Sequence, residues 1–141
     1  MVDRDLVASK LAELADHLAR VRARRTATAD ELRRDRDARD LVAFNLMLAV
    51  QACADIASHV IADEGWPAAA SLGGGFERLR ERGVISPPVC EALTRAVGLR
   101  NVVAHGYAGA RPELIHAGAT TGLADLEAFS REIATWTQSR G

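Results

Sequence analysis

Along this chain apolar residues recur at three- and four-residue intervals, the period of a helix that packs on one side. Val7, Leu11, Leu14, Leu18 and Val21 form such a seam and predict a first amphipathic helix from about residue 4 to 24. A connector with Thr26 and Thr28 follows. The second predicted helix runs from the Asp35 region to about Ala62, with Leu41, Phe44, Leu48, Ala52, Ile56 and Val60 on one face, and Gly65-Trp66-Pro67 ends it. It is the longest element and the expected centre of the molecule. Residues 65 to 75 hold Pro67 and the triplet Gly73-Gly74-Gly75 and read as a loop, followed by a short helix from Phe76 to Arg82 closed by Gly83. Ser86 offers an N-cap oxygen with Pro87 at the first helical position, so another helix is expected from about Pro87 to His105, turning Val89, Leu93, Val97 and Ala104 to the core. Gly106, Gly109 and Pro112 break the pattern, and a last helix carries Leu126, Phe129, Ile133 and Trp136. The expectation is an all-α, antiparallel bundle of about five helices forming a single domain over residues 1–141.

Composition sharpens that picture. Hydrophobic residues make up 48% of the 141 residues and aromatics only 4%, with 27 alanines, so the core is aliphatic and its elements approach closely. No run of eighteen apolar residues exists, and the charged start Met1-Val2-Asp3-Arg4-Asp5 has no apolar signal segment behind it; a cytoplasmic protein without a membrane partner is expected. Cys53 and Cys90 have neither C-x-x-C spacing nor the density of a secreted scaffold and are expected to be reduced and buried.

The net charge of −1 does not mark a nucleic-acid binder, but 17 of the 18 basic residues are arginine and eight of them fall between Arg20 and Arg39. That cluster can serve as a local phosphate-facing surface. Asp30, Glu31, Asp35, Asp37 and Asp40 are interleaved with it, which favours an ion-paired, solvated face instead.

The densest chemistry lies in residues 100–107, Arg-Asn-Val-Val-Ala-His-Gly-Tyr. Within two helical turns stand a permanent cation, a primary amide, an imidazole and a phenol. Asn101 and His105 are i and i+4 and share a face, whereas Arg100 lies about 140° around the axis from His105. A distortion near Gly106, or a second copy of the motif across a two-fold axis, brings them together. The plainer reading is that these residues cap carbonyls and answer the helix dipole. Asp55 and His59, also i and i+4, can pair, orient catalytic groups or begin a metal site; no third ligand is spaced to join them, so no metal is expected. The Gly73–Gly75 triplet lacks the Lys-Ser/Thr and the preceding strand of a phosphate loop. His17 and His116 sit in exposed-looking contexts and are assigned no role.

The run from Arg100 to Tyr107 resembles the R-x4-H-x-Y signature of the HepT-like branch of the HEPN ribonucleases, including the asparagine after the arginine. Gln51-Ala52-Cys53-Ala54-Asp55-Ile56-Ala57-Ser58-His59 is similar to that family's central helix, and Gly83-Val84-Ile85-Ser86-Pro87 and Gly98-Leu99-Arg100-Asn101 resemble its approach to the motif. The likeness covers approximately residues 38 to 138. It implies a HEPN-like fold, a two-fold homodimer and a toxin that cleaves RNA, transfer RNA or messenger RNA, without metal or other cofactor. In that chemistry His105 is general acid or base, Arg100 holds the phosphate and Asn101 orients His105 or donates to a phosphate oxygen, with Asp55 and His59 as possible supports. The resemblance also implies a partner, an MNT-type nucleotidyltransferase antitoxin that adenylylates Tyr107. The alternative is a catalytically inactive HEPN-type module that binds nucleotide or RNA or docks a transferase.

Overall fold

The computed structural model describes residues 2–106 and 111–140, among which there are seven helices and no strand. They are α1 (Arg4–Arg24), α2 (Ala29–Arg34), α3 (Arg36–Asp63), α4 (Leu72–Glu81), α5 (Pro87–Ala104), α6 (Pro112–Ala119) and α7 (Thr121–Ser139). Asp3 starts α1 by accepting the Leu6 N–H at 3.0 Å, and Val7, Leu14, Leu18 and Val21 of the expected seam are buried. α1 packs chiefly on α3. The Asp3 N–H donates to Asp63, Lys10 meets Asp55 and His17 meets Asn45, so residue numbers fall along one helix as they rise along the other and the pair is antiparallel.

α3 is the centre, as its length predicts, because α1, α4, α5, α6 and α7 all pack on it. It is long and apolar enough to cross a membrane, and 61% of that apolar window is buried inside the protein. The expected inward face holds in its second half and is corrected in its first. Ala52, Ile56 and Val60 are buried, but Phe44 is 54% exposed and Leu41 and Leu48 are half-buried, while Val42, Leu46, Ala49 and Cys53 lie in the core. A helix covered on several sides is apolar on several sides, and its periodicity then cannot select one face.

Two short helices exceed the expected five. Thr28 caps α2 by accepting the Glu31 N–H at 3.1 Å, and Pro112 begins α6. They pack on one another, with Leu32, Ile115 and Ala119 buried and Arg33 paired to Glu113. Each is too short to display a repeat. The loop expected over residues 65–75 ends earlier, because Ser71 caps α4 by accepting the Gly74 N–H at 3.0 Å and Gly73, Gly74 and Gly75 are helical. Gly75 is buried where α4 packs on α3, and a β-carbon there would meet that of Ala57 at 3.8 Å, an ordinary van der Waals distance. At the far end of the core Phe76 and Phe129 meet edge to face with centroids 5.7 Å apart.

α5 begins at Pro87 as predicted, but Ser86 makes no side-chain cap. Its hydroxyl donates to Glu132 Oε2 at 2.8 Å and its N–H donates to Glu132 Oε1 at 2.7 Å, which ties the start of α5 to α7. Val89 and Leu93 are buried, Val97 is half-buried, and Ala104 is exposed rather than in the core, because the last turn of α5 turns Val103 to the core instead. Cys53 and Cys90 are both free and buried.

Candidate active site

The motif residues stand on the last turn of α5 and just past it. Asn101 and His105 are exposed and Arg100 is half-buried. α5 ends at Ala104; the His105 N–H donates to the Asn101 carbonyl at 3.1 Å and the Gly106 N–H to the Val103 carbonyl at 3.0 Å. Gly106 has φ of 80°, a left-handed conformation that an L side chain resists, so the glycine after the histidine is what lets the chain turn there. Tyr107 lies outside the described residues.

Arg100 leaves α5 toward α3. Its Nη2 donates to Gln51 Oε1 at 3.2 Å and its Nη1 donates to Asn101 Oδ1 at 3.1 Å. Its Nε is buried and finds no acceptor among the described residues. Five N–H bonds belong to a guanidinium. Two are taken, Nε is enclosed, and one remains on each terminal nitrogen, enough for a two-point grip on a phosphate. Because its oxygen accepts from Arg100, Asn101 keeps its amide nitrogen as a donor.

The contacts continue through α3 to α1. Gln51 Nε2 donates to Asp55 Oδ1 at 3.2 Å, and Lys10 Nζ lies 3.7 Å from Asp55 Oδ2 and 3.1 Å from Glu13. The ammonium of Lys10 is held above its usual range by the hydrogen bond to Glu13 first, against the opposing effect of burial, with the charges of Glu13 and Asp55 adding to it. Of the two supporting candidates, Asp55 therefore joins the Arg100 cluster. His59 does not pair with it, since the Asp55 carboxylate is held by Gln51 and Lys10. Gln51 and Lys10 were not singled out as site residues from sequence. The available signal was Gln51 at i−4 from Asp55 on an otherwise apolar stretch of α3.

Other polar groups are used structurally. His17 Nδ1 and Asn45 Oδ1 are 3.1 Å apart, and the buried Asn45 donates through Nδ2 to the Leu41 carbonyl at 2.9 Å, so His17 is half-buried rather than exposed. His116, also half-buried, has Nε2 at 3.2 Å from the Ala27 carbonyl. In the arginine cluster Arg20 pairs with Asp16, Arg22 with Glu127, Arg33 with Asp30 and Glu113, Arg34 with Asp30 and Arg36 with Asp40, the ion-paired face. An apolar cavity of about 240 Å³ between α3, α5, α6 and α7 reaches Leu99 but includes none of Arg100, Asn101 and His105.

Residues 14–133 match the family model described as Ribonuclease HepT-like. The mRNA nuclease HepT of Shewanella oneidensis is 26% identical over 125 residues, which cover 89% of this chain and 93% of that protein. The tri-AMPylated Shewanella oneidensis HEPN toxin, solved in complex with MNT antitoxin, superimposes with a TM-score of 0.86 at 25% identity, covering 94% of this chain and 99% of that one. A toxin–antitoxin structure with AMP-PNP shares the fold at a TM-score of 0.86 and 24% identity, with the same coverage.

Proposed function

The chain belongs to the HepT-like ribonuclease family, and from that premise we propose that it is the toxin of a toxin–antitoxin pair, cutting RNA without a metal. The observation that carries the reading is the end of α5. Arg100 is held at two nitrogens with an N–H left on each, beside an exposed Asn101 and one turn from an exposed His105. RNA brings its own nucleophile. The 2′-oxygen attacks the adjacent phosphorus and gives its proton to an imidazole. Arg100 and the Asn101 amide balance the charge on the phosphorane oxygens, and the P–O5′ bond breaks as the 5′-oxygen takes a proton from a second imidazole. The products are a 2′,3′-cyclic phosphate and a 5′-hydroxyl.

Two imidazoles are needed and the motif supplies one. A two-fold homodimer that sets two α5 ends face to face supplies the second His105 and the walls of a cleft. The partner in this reading is an MNT-type nucleotidyltransferase that transfers AMP to Tyr107, two residues from His105. The added phosphate opposes the RNA phosphate by charge and by bulk. The related toxin solved with MNT antitoxin in a tri-AMPylated form supports this part.

The test is incubation of the unmodified protein with total RNA in chelator beside His105→Ala. Cleavage by the first and not the second is expected; intact RNA in both would return the protein to a binding or docking module. With antitoxin and ATP present, Tyr107→Phe should still cut.

A further inference from the structure

Gln51 lies outside the R-x4-H-x-Y motif, yet it is the residue through which the candidate site is joined to α3 and α1. It lies midway along α3 and uses both ends of its amide, the oxygen accepting from Arg100 Nη2 and the nitrogen donating to Asp55 Oδ1, each at 3.2 Å. This leaves no choice of amide orientation. Turned over, it would set NH2 against a guanidinium, two donors facing, and a carbonyl against an acceptor-only carboxylate. Asp55 is itself held by Lys10 of α1 at 3.7 Å. A line of alternating donors and acceptors thus runs from α1 through α3 to Arg100 on α5 and ends on Asn101.

We infer that Gln51 is a positioning residue that aims the Arg100 guanidinium at the RNA phosphate while leaving its charge intact. The inference rests on the nuclease reading of the site. Two observations support it beyond the bond itself. Arg100 Nε is buried without an acceptor among the described residues, an unfavourable state that persists because the terminal nitrogens are held elsewhere. The acceptor facing the cation is also neutral, with the nearest carboxylate of the line, Asp55, one residue further along it. A carboxylate in direct contact would anchor the guanidinium equally well and cancel the field that a phosphorane needs.

Two substitutions separate aim from charge. Gln51→Leu removes the acceptor, and Gln51→Glu keeps it and adds a negative charge. With a defined RNA substrate in chelator, Gln51→Leu should lower kcat roughly 10- to 100-fold, the scale of a misplaced catalytic group, with KM changed less than about threefold. Nitrogen-15 spectra of the arginine side chains read the anchor without any turnover. The Arg100 Nη signals should be separate in wild type and in Gln51→Glu, and averaged by rotation in Gln51→Leu, while both variants lose kcat. Thermal melting checks that each variant is folded. Wild-type kcat in Gln51→Leu beside an inactive Arg100→Ala, or Nη signals unchanged in Gln51→Leu, would overturn the role given to Gln51 alone. Full cleavage by Arg100→Ala would instead remove the nuclease role of Arg100, and with it the purpose assigned here to Gln51.

Discussion

The two ends of α5 are built to different ends. At its start Pro87 stands at the first helical position, Val89, Cys90 and Leu93 are buried, and both the N–H and the hydroxyl of Ser86 are received by Glu132 of α7. At its finish Asn101, Ala104 and His105 are exposed, the last turn holds no basic residue that answers the dipole, and Gly106 turns the chain away. Hydrogen bonds occur at both. At the start they close on protein groups, whereas at the finish Arg100 and Asn101 are linked to each other and still keep donors unspent. One helix therefore carries a fixed foot and a tip whose polar side chains are exposed or half-buried.

The largest effects should separate the two ends by kind. His105→Ala is expected to abolish RNA cleavage by at least about 100-fold, the usual contribution of a general acid or base, while its unfolding midpoint in urea stays at the wild-type value. Leu93→Ala, at a side chain with no exposure, is expected to cost about 2–5 kcal/mol of stability and to leave kcat per folded molecule unchanged. A large loss of stability in His105→Ala would erase the distinction between foot and tip.

A smaller effect belongs to the anchor. Glu132→Ala leaves the Ser86 N–H and hydroxyl without their acceptor and should cost about 1–3 kcal/mol in denaturant unfolding. If stability is unchanged, α5 is held by apolar packing alone.

The smallest effect is a dependence on alkaline pH. Burial first, then the hydrogen bond to the Glu77 carboxylate at 3.3 Å, pushes the Cys90 thiol up to about 11. An unfolded thiol titrates near about 8.5, so above that pH the unfolded chain releases a proton that the folded one retains. Stability should decline as pH rises from there toward about 11, since the pKa of the folded thiol is the higher one. The decline should be shallower in Cys90→Ala, where only Cys53, raised by burial, remains. Equal slopes for the two proteins between pH 8 and pH 10, measured by urea unfolding, would count against a buried thiol at the foot of α5.

Much of the fold was legible because its signals are local. The α1 seam, the Gly65 break after α3, Pro87 at the start of α5 and the apolar repeat of α7 each depend on residues within a few positions of one another. The motif was legible for the same reason, since Arg100, Asn101 and His105 are neighbours in sequence. What could not be read depends on neighbours distant in sequence. Ser86 looked like a helix cap because the residue that claims it, Glu132, lies 46 positions away. Phe44 looked like core because nothing local says which sides of α3 will be covered. Gly73 to Gly75 looked like a loop because glycine disfavours a helix locally, whereas Ser71 caps the triplet into α4 and Gly75 is buried only once α4 has packed on α3.

The sequence by itself determined the helical class, most helix limits and the identity of the motif residues, through periodicity, capping chemistry and short spacing. Tertiary structure decided which of them act together. Gln51 and Asp55 are 49 and 45 residues before Arg100 in the chain, and only the packing of α3 against α5 carries an amide to the guanidinium, with a carboxylate behind it. Hydrogen bonds need heavy atoms about 3 Å apart, and distances of that order between remote residues are set by how helices pack rather than by any property of either segment.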